Sequence, residues 1–129
     1  MNPKQFLTIG GAVLVLVGIL GFVGVIGPGT DALFGAAWYF DNAENWAHLV
    51  LGVVGLIAAF AFPASLQKPL VLLLGVVGVL VGIYSAVSDV PLLGANLENP
   101  ADTLLHILVG LWALASSLMG QKTETTGSM

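Results

Sequence analysis

Polar residues are so sparse in this chain that its pattern is one of long apolar runs rather than alternation. Four runs stand out: Phe6 to Ile26, about Trp46 to Phe62, Leu70 to Val87, and Thr103 to Met119. Between them lie "GPGTDALFGAAWYFDNAEN", "PASLQKP" and "SDVPLLGANLENPAD", rich in the Pro, Gly and Asn that interrupt helices. Runs of about 17–25 apolar residues match the thickness of a bilayer's hydrocarbon core. Backbone polar groups in lipid must pair within their own segment, so each run is expected to be a helix. The pattern predicts an all-α membrane protein of four transmembrane helices, forming one domain over residues 1–120 and followed by a disordered polar tail over 121–129. The first run is too long for a signal peptide and no small-x-small site follows it, so it is expected to stay in the fold.

Composition and charge sharpen this picture. Of 129 residues, 57% are hydrophobic and 8% charged, far below the roughly 25% charged residues of soluble domains. The formal charge of −4 argues against nucleic acid, and without cysteine there is no disulfide or thiolate chemistry. Lys4, Lys68 and Lys122 all fall on one face of a four-span protein. The positive-inside rule makes that face cytoplasmic, which gives an N-in/C-in topology in a cell (inner) membrane. Asp31, Asp41, Glu44, Asp89, Glu98 and Asp102 fall on the opposite face, and Trp38, Tyr39, Phe40 and Trp46 mark its interface.

The second half repeats the first. His48 corresponds to His106, Gly52 to Gly110, Ala43 to Ala101 and Glu44 to Asp102, a shift of 58; Leu14 to Gly21 lies over Val71 to Gly78, a shift of 57. Two parallel helical-hairpin repeats, about 6–62 and about 70–119, would be related by an axis along the membrane normal. His48 and His106 are then expected at equal depth.

Residues at i, i+4, i+7 and i+11 share a helix face. In the second span that face reads Glu44, His48, Gly52, Gly55, Ala59; in the fourth, Asp102, His106, Gly110, Ala113, Ser117. Stripes of small residues mark close helix contacts in membranes. Gly52, Gly55, Gly75, Gly78, Gly82 and Gly110 are therefore the expected packing positions, and both histidines should face the bundle interior.

"DNAE" and "NPAD" have the form of helix starts, with Asp41 or Asn99 as cap and Glu44 or Asp102 at the third position. Capping alone accounts for the acids, and hydrogen bonds to carboxylates or carbonyls for the histidines. Three further chemistries fit the same residues. Glu44, His48, Asp102 and His106 offer the ligands of a zinc-like divalent metal. His48 and His106 suit the axial positions of a haem or the magnesium of chlorophyll. As imidazoles they also suit a proton-responsive pair.

"NAENWAHLVLGVVGLIA" and "LLGANLENPADTLLHILVGLWALA" resemble the two halves of the small bacterial four-helix membrane proteins grouped as domain-of-unknown-function family 4383. The resemblance covers nearly the whole chain up to Gly120 and rests on the histidine-plus-glycine start of the second and fourth helices. It implies a bacterial multi-pass membrane protein and supplies no catalytic residue. Asp102 and Thr103 stand where the family often has asparagine.

No Ser-His-Asp set, phosphate loop, HExxH or CxxC occurs. The expected role is a non-enzymatic structural or accessory subunit without a cofactor, surrounded by lipid and joined to copies of itself or to a larger membrane complex. The alternative is a protein that holds a divalent metal or tetrapyrrole between His48 and His106.

Overall fold

The computed structural model describes residues 2–28, 30–31, 33–88, 90–92, 94–98 and 100–118, except for the side chain of residue 36. Asp89, Asn99 and the tail over 121–129 lie outside the described residues, so the cap expected at Asn99 and the disorder expected of the tail do too. Helices α1 (Pro3–Phe22), α2 (Asn42–Ala61), α3 (Ala64–Val87) and α4 (Ala101–Ser128) follow one another, with a short 3-10 turn at Gly35–Ala37 before α2. The first three helices and the Ala101–Leu118 part of α4 are each long and apolar enough to cross a membrane. Among the described residues there is no strand, and the single bridge joins Leu92 to Ala95.

Local chemistry sets the helix boundaries. Asn2 caps α1: its side chain accepts from Gln5 N at 2.8 Å while Gln5 Oε1 accepts from Asn2 N at 3.0 Å. The helix stops at Phe22, short of Ile26, because Val25 N and Ile26 N both turn back to Leu20 O and Gly24 takes a φ of 97°. That left-handed conformation costs glycine little and other residues more. Helix α2 opens with a reciprocal cap, Asp41 Oδ1 accepting from Glu44 N at 2.9 Å and Glu44 Oε1 from Asp41 N at 3.4 Å. Much of the expected connection "PASLQKP" is instead helical: Pro63 takes the cap position of α3, where its missing N–H costs nothing, and Pro69 lies near the start of that helix. Gln67 Nε2 donates to Ala58 O and Ala59 O, both at 3.1 Å. Ala58 O also accepts from Phe62 N, whereas the helical partner of Ala59 O would be Pro63, which has no N–H, so the side chain supplies the donor that carbonyl lacks.

Helices α1 and α2 pack closely, as do α3 and α4, and glycine makes both approaches feasible. A Cβ at Gly52 would stand 2.7 Å from Val15 N and 2.8 Å from Gly11 O; one at Gly110 would stand 2.7 Å from Val79 N and 2.9 Å from Gly75 O. Gly18 meets Leu49 and Asn45 O just as Gly82 meets Ile107 and Thr103 O. These equivalent contacts relate α2 to α4 by the expected shift of 58. They relate α1 to α3 through Gly11/Gly75, Val15/Val79 and Gly18/Gly82, a shift of 64 rather than 57. The two registers differ by seven residues, two helical turns, which leaves the same face inward; a Gly/Val/Leu pattern satisfies either. The α3–α4 connection is correspondingly six residues shorter than the α1–α2 connection.

Contact between the two helix pairs comes mainly from α1, against α3 and α4. Near the end that carries Lys4, which lies 5.7 Å from the Phe60 ring centre, the buried apolar cluster comprises Phe6, Leu7, Ala58, Ala59, Val71 and Ala113. Phe6 meets Trp112 edge-to-face at 4.5 Å. Toward the histidine end α2 does not pack closely on α3 or α4, and the space so created positions the site.

Candidate ligand site between the hairpins

At the histidine end the connecting segments bind the two helix pairs together. Trp38 Nε1 donates to Asp102 Oδ1 at 3.1 Å, Tyr39 N to Glu98 Oε1 at 2.9 Å, and Asn96 N to Asp41 Oδ2 at 2.7 Å. Asn96 Nδ2 adds bonds to the Tyr39 hydroxyl at 2.9 Å and to Glu98 Oε2 at 3.1 Å. All of these but the Asn96–Glu98 bond join residues 38–41 to residues 96–102, so the clasp is assembled from opposite halves of the chain.

Beneath it stand the two imidazoles. His48 Nδ1 lies 2.7 Å from Glu44 O, and His106 Nδ1 lies 2.8 Å from Asp102 O. A carbonyl can only accept, so in both rings Nδ1 carries a proton and donates it, and Nε2 is the ring nitrogen left for another partner. Among the described residues neither Nε2 forms a hydrogen bond. Phe40 stacks on His48 with ring centres 4.7 Å apart and planes 8° from parallel, which holds that imidazole from one face.

Both histidines line a cavity of about 360 Å³ between the hairpins. Trp38, Phe40 and Asp102 border it at the histidine end, and Phe6 and Trp112 at the other; the wall between is aliphatic side chains and glycine, including Gly11, Gly55, Gly78 and Gly110. The glycines thus serve twice, allowing the helices of each pair to approach and leaving room between the pairs. Ligand sites of small molecules are typically apolar clefts of about 300–1,000 Å³ with a few convergent polar groups. This cavity has that character at the small end of the range.

The carboxylates are arranged differently from the imidazoles. Glu44, Glu98 and Asp102 each bring an oxygen within 4.8 Å of the others, and neither histidine belongs to that group. Glu44 and Asp102 are only 2% and 1% exposed. Asp102 Oδ2 also accepts from Glu98 N at 2.8 Å, and Glu44 Oε2 is buried without a partner. Burial is the main cause that pushes the Glu98 carboxyl up to about 7; Asp102 and Asp41 add to the rise, and the bond from Tyr39 N opposes it.

Of the residues singled out from sequence, Glu44 and Asp102 therefore come together, while His48 and His106 turn to the cavity and to their own helices' carbonyls. Gly52, Gly75, Gly82 and Gly110 sit buried at the close approaches. Gly78 faces Gly110 Cα at 3.1 Å from its Cβ position, and Gly55 has more room, 3.6 Å from Gly11 Cα. Glu98, Trp38, Phe40 and Asn96 escaped the sequence reading as site residues because they lie in connections, where no helical spacing links them to the histidines. Searches against protein-family models, curated proteins and solved structures find no match to this chain.

Proposed function

We propose that this chain is a small, non-enzymatic membrane protein that holds a mainly apolar ligand between two pseudo-equivalent hairpins. The observation that carries this reading is the cavity with two imidazoles on its wall, each fixed through Nδ1 and each with Nε2 unpartnered. Two unpartnered ring nitrogens over an otherwise apolar space suit a molecule with a hydroxyl-bearing or metal-centred head and a hydrocarbon body. A single acyl or prenyl chain with a small head suits a cavity of about 360 Å³ better than a tetrapyrrole, which would require the hairpins to part. Haem or chlorophyll ligated by His48 and His106 is the larger variant of the same idea.

The matched glycine contacts and matched histidine bonds support two parallel repeats. The lysine pattern supports N-in/C-in insertion in a bacterial inner membrane, which places the histidine end outside. Kinship with domain-of-unknown-function family 4383 is part of the same proposal and rests on the resemblance of residues 42–58 and 92–115 to its two halves.

The test is to purify the full chain in mild detergent, record its absorption spectrum, and identify extracted molecules by mass spectrometry beside His48→Leu/His106→Leu. One apolar molecule at near-stoichiometric yield, lost in the double variant, is the expected result. An empty protein, together with a double variant that is merely less stable, would overturn the ligand reading. It would return the chain to a structural or accessory role, in which the clasp and histidines only join the hairpins.

A further inference from the structure

The cavity accounts for the imidazoles but leaves the carboxylates above it unexplained. Capping uses one oxygen of Glu44, and the clasp uses those of Asp41, Glu98 and Asp102. Glu44 Oε2 has no partner, although its residue is only 2% exposed. Solvating a carboxylate is so favourable that burying one oxygen bare is costly, unless something absent from the protein's own atoms meets it.

Its neighbours have the same need. Three carboxylate oxygens gather within 4.8 Å, and Asp41 stands beside them, its Oδ2 bonded to Asn96 N. No lysine or arginine among the described residues lies at this end: Lys4 is beside Phe60 at the far end of the bundle, and Lys68 neighbours Gln67 there. The donors to these carboxylates are the Trp38 indole, the Asn96 side chain and the Tyr39, Asp41, Glu44, Asn96 and Glu98 amides, all neutral.

We infer that Glu44, Glu98 and Asp102 form a binding site for a hard divalent cation of the Ca²⁺ type, at the junction of the two hairpins. Oxygen ligands of Ca²⁺ stand about 2.3–2.6 Å from the ion, so any two lie within about 5 Å of each other. The separation of the three carboxylates meets that limit. An all-oxygen set selects a hard cation over zinc or copper, which prefer imidazole or thiolate. The site therefore differs in membership and chemistry from a zinc-like set of Glu44, His48, Asp102 and His106. Water from the surface would complete the coordination, since Glu98 is only half-buried. Glu44 comes from one hairpin and Glu98 and Asp102 from the other, so the ion would lock the same junction that the clasp forms with neutral bonds.

The experiment uses the full chain in detergent, stripped with chelator and titrated with Tb³⁺, a luminescent substitute for Ca²⁺. Trp38, hydrogen-bonded to Asp102, is placed to sensitise its emission. Saturable emission at one ion per chain, displaced by Ca²⁺ and not by equal Mg²⁺, is expected. Glu44→Gln and Glu98→Gln keep the shape of each side chain and should weaken binding about tenfold or more, judged against the loss that even outer-sphere changes cause. Asp31→Asn, an exposed acid outside the group, should bind as the parent does. Circular dichroism confirms that each variant is folded. No saturable binding to the parent, or binding unchanged in both folded Gln variants, would overturn the inference and leave a cluster that shares protons instead. Glu98 does not line the cavity, so failure here leaves the ligand test of His48 and His106 untouched.

Discussion

Substituting alanine for Gly52 adds one carbon where the backbones of α1 and α2 approach closely. That carbon would stand 2.7 Å from Val15 N and 2.8 Å from Gly11 O, whereas ordinary contact begins at 3.4 Å. Both neighbours are backbone, so no rotamer change relieves the overlap and the helices must part by about 0.7 Å. A gap of roughly 0.5–1 Å forfeits about a quarter to a half of each affected contact's attraction. Overpacking of this kind costs about 1–3 kcal/mol. Alanine's helix propensity returns up to about 1 kcal/mol, and less where the helix persists in lipid without its partner. The net expectation for Gly52→Ala is a loss of about 1–2 kcal/mol. Gly55→Ala, one turn along the same face, is the internal control. Its added carbon would meet Gly11 Cα at 3.6 Å, an ordinary contact, so it should be neutral or stabilising by up to about 1 kcal/mol. Reversible unfolding in mixed micelles of increasing SDS content, followed by tryptophan fluorescence and circular dichroism, reads both. If Gly52→Ala proves as stable as Gly55→Ala, the close-approach account of these helices is wrong.

Gly110→Ala meets Val79 N at the same 2.7 Å and should lose as much as Gly52→Ala; the double variant should lose the sum within about 0.5 kcal/mol, in the same assay. Asn45 is fully buried with both amide atoms unpartnered, so Asn45→Ala should be no less stable than the parent. Thr103→Val, at the corresponding position of the other hairpin, breaks the 2.9 Å bond to Ser85 and should cost about 1 kcal/mol or more. Gln67→Ala strips Ala59 O of its donor while Ala58 O keeps Phe62 N, and should cost about 1–3 kcal/mol by the same unfolding measurement. In chelated protein, Glu98 has a folded value of about 7 against the ordinary 4.5, so the folded chain holds a proton that the unfolded chain releases. The resulting stability is full below about pH 4.5 and is lost as pH rises through about 7. Unfolding midpoints should fall over that window, and Glu98→Gln should flatten the fall.

The four helices were legible because hydrophobic run length is a strong signal, and the cap of α2 because Asp41 and Glu44 stand at the spacing it requires. The inward face of the histidines was legible from the small residues that share their stripe. The register of α1 against α3 was not: Gly11/Gly75 and Gly18/Gly82 fit no better by composition than the pairing two turns away, and backbone approach alone distinguishes them. Nor was the clasp. Trp38, Asn96 and Glu98 owe their meeting to the paths of two irregular connections, and hydrogen bonds from 38–41 to 96–102 leave no periodic mark. The cavity depends on α2 standing away from α3 and α4, a relation between helix pairs that no single helix encodes.

That each glycine-joined interface is complete within its own hairpin has a consequence for how the chain is made. Residues 3–61 can leave the insertion machinery as a finished pair before residues 64–118 exist, since the pair needs no later helix to bury its closest contacts. The Phe62–Pro63 link then acts as a joint between two prefabricated parts. Separate synthesis of the two halves in one membrane should restore the whole bundle, with assembly governed by the polar bonds between connections at one end and the apolar cluster around Phe6 and Trp112 at the other.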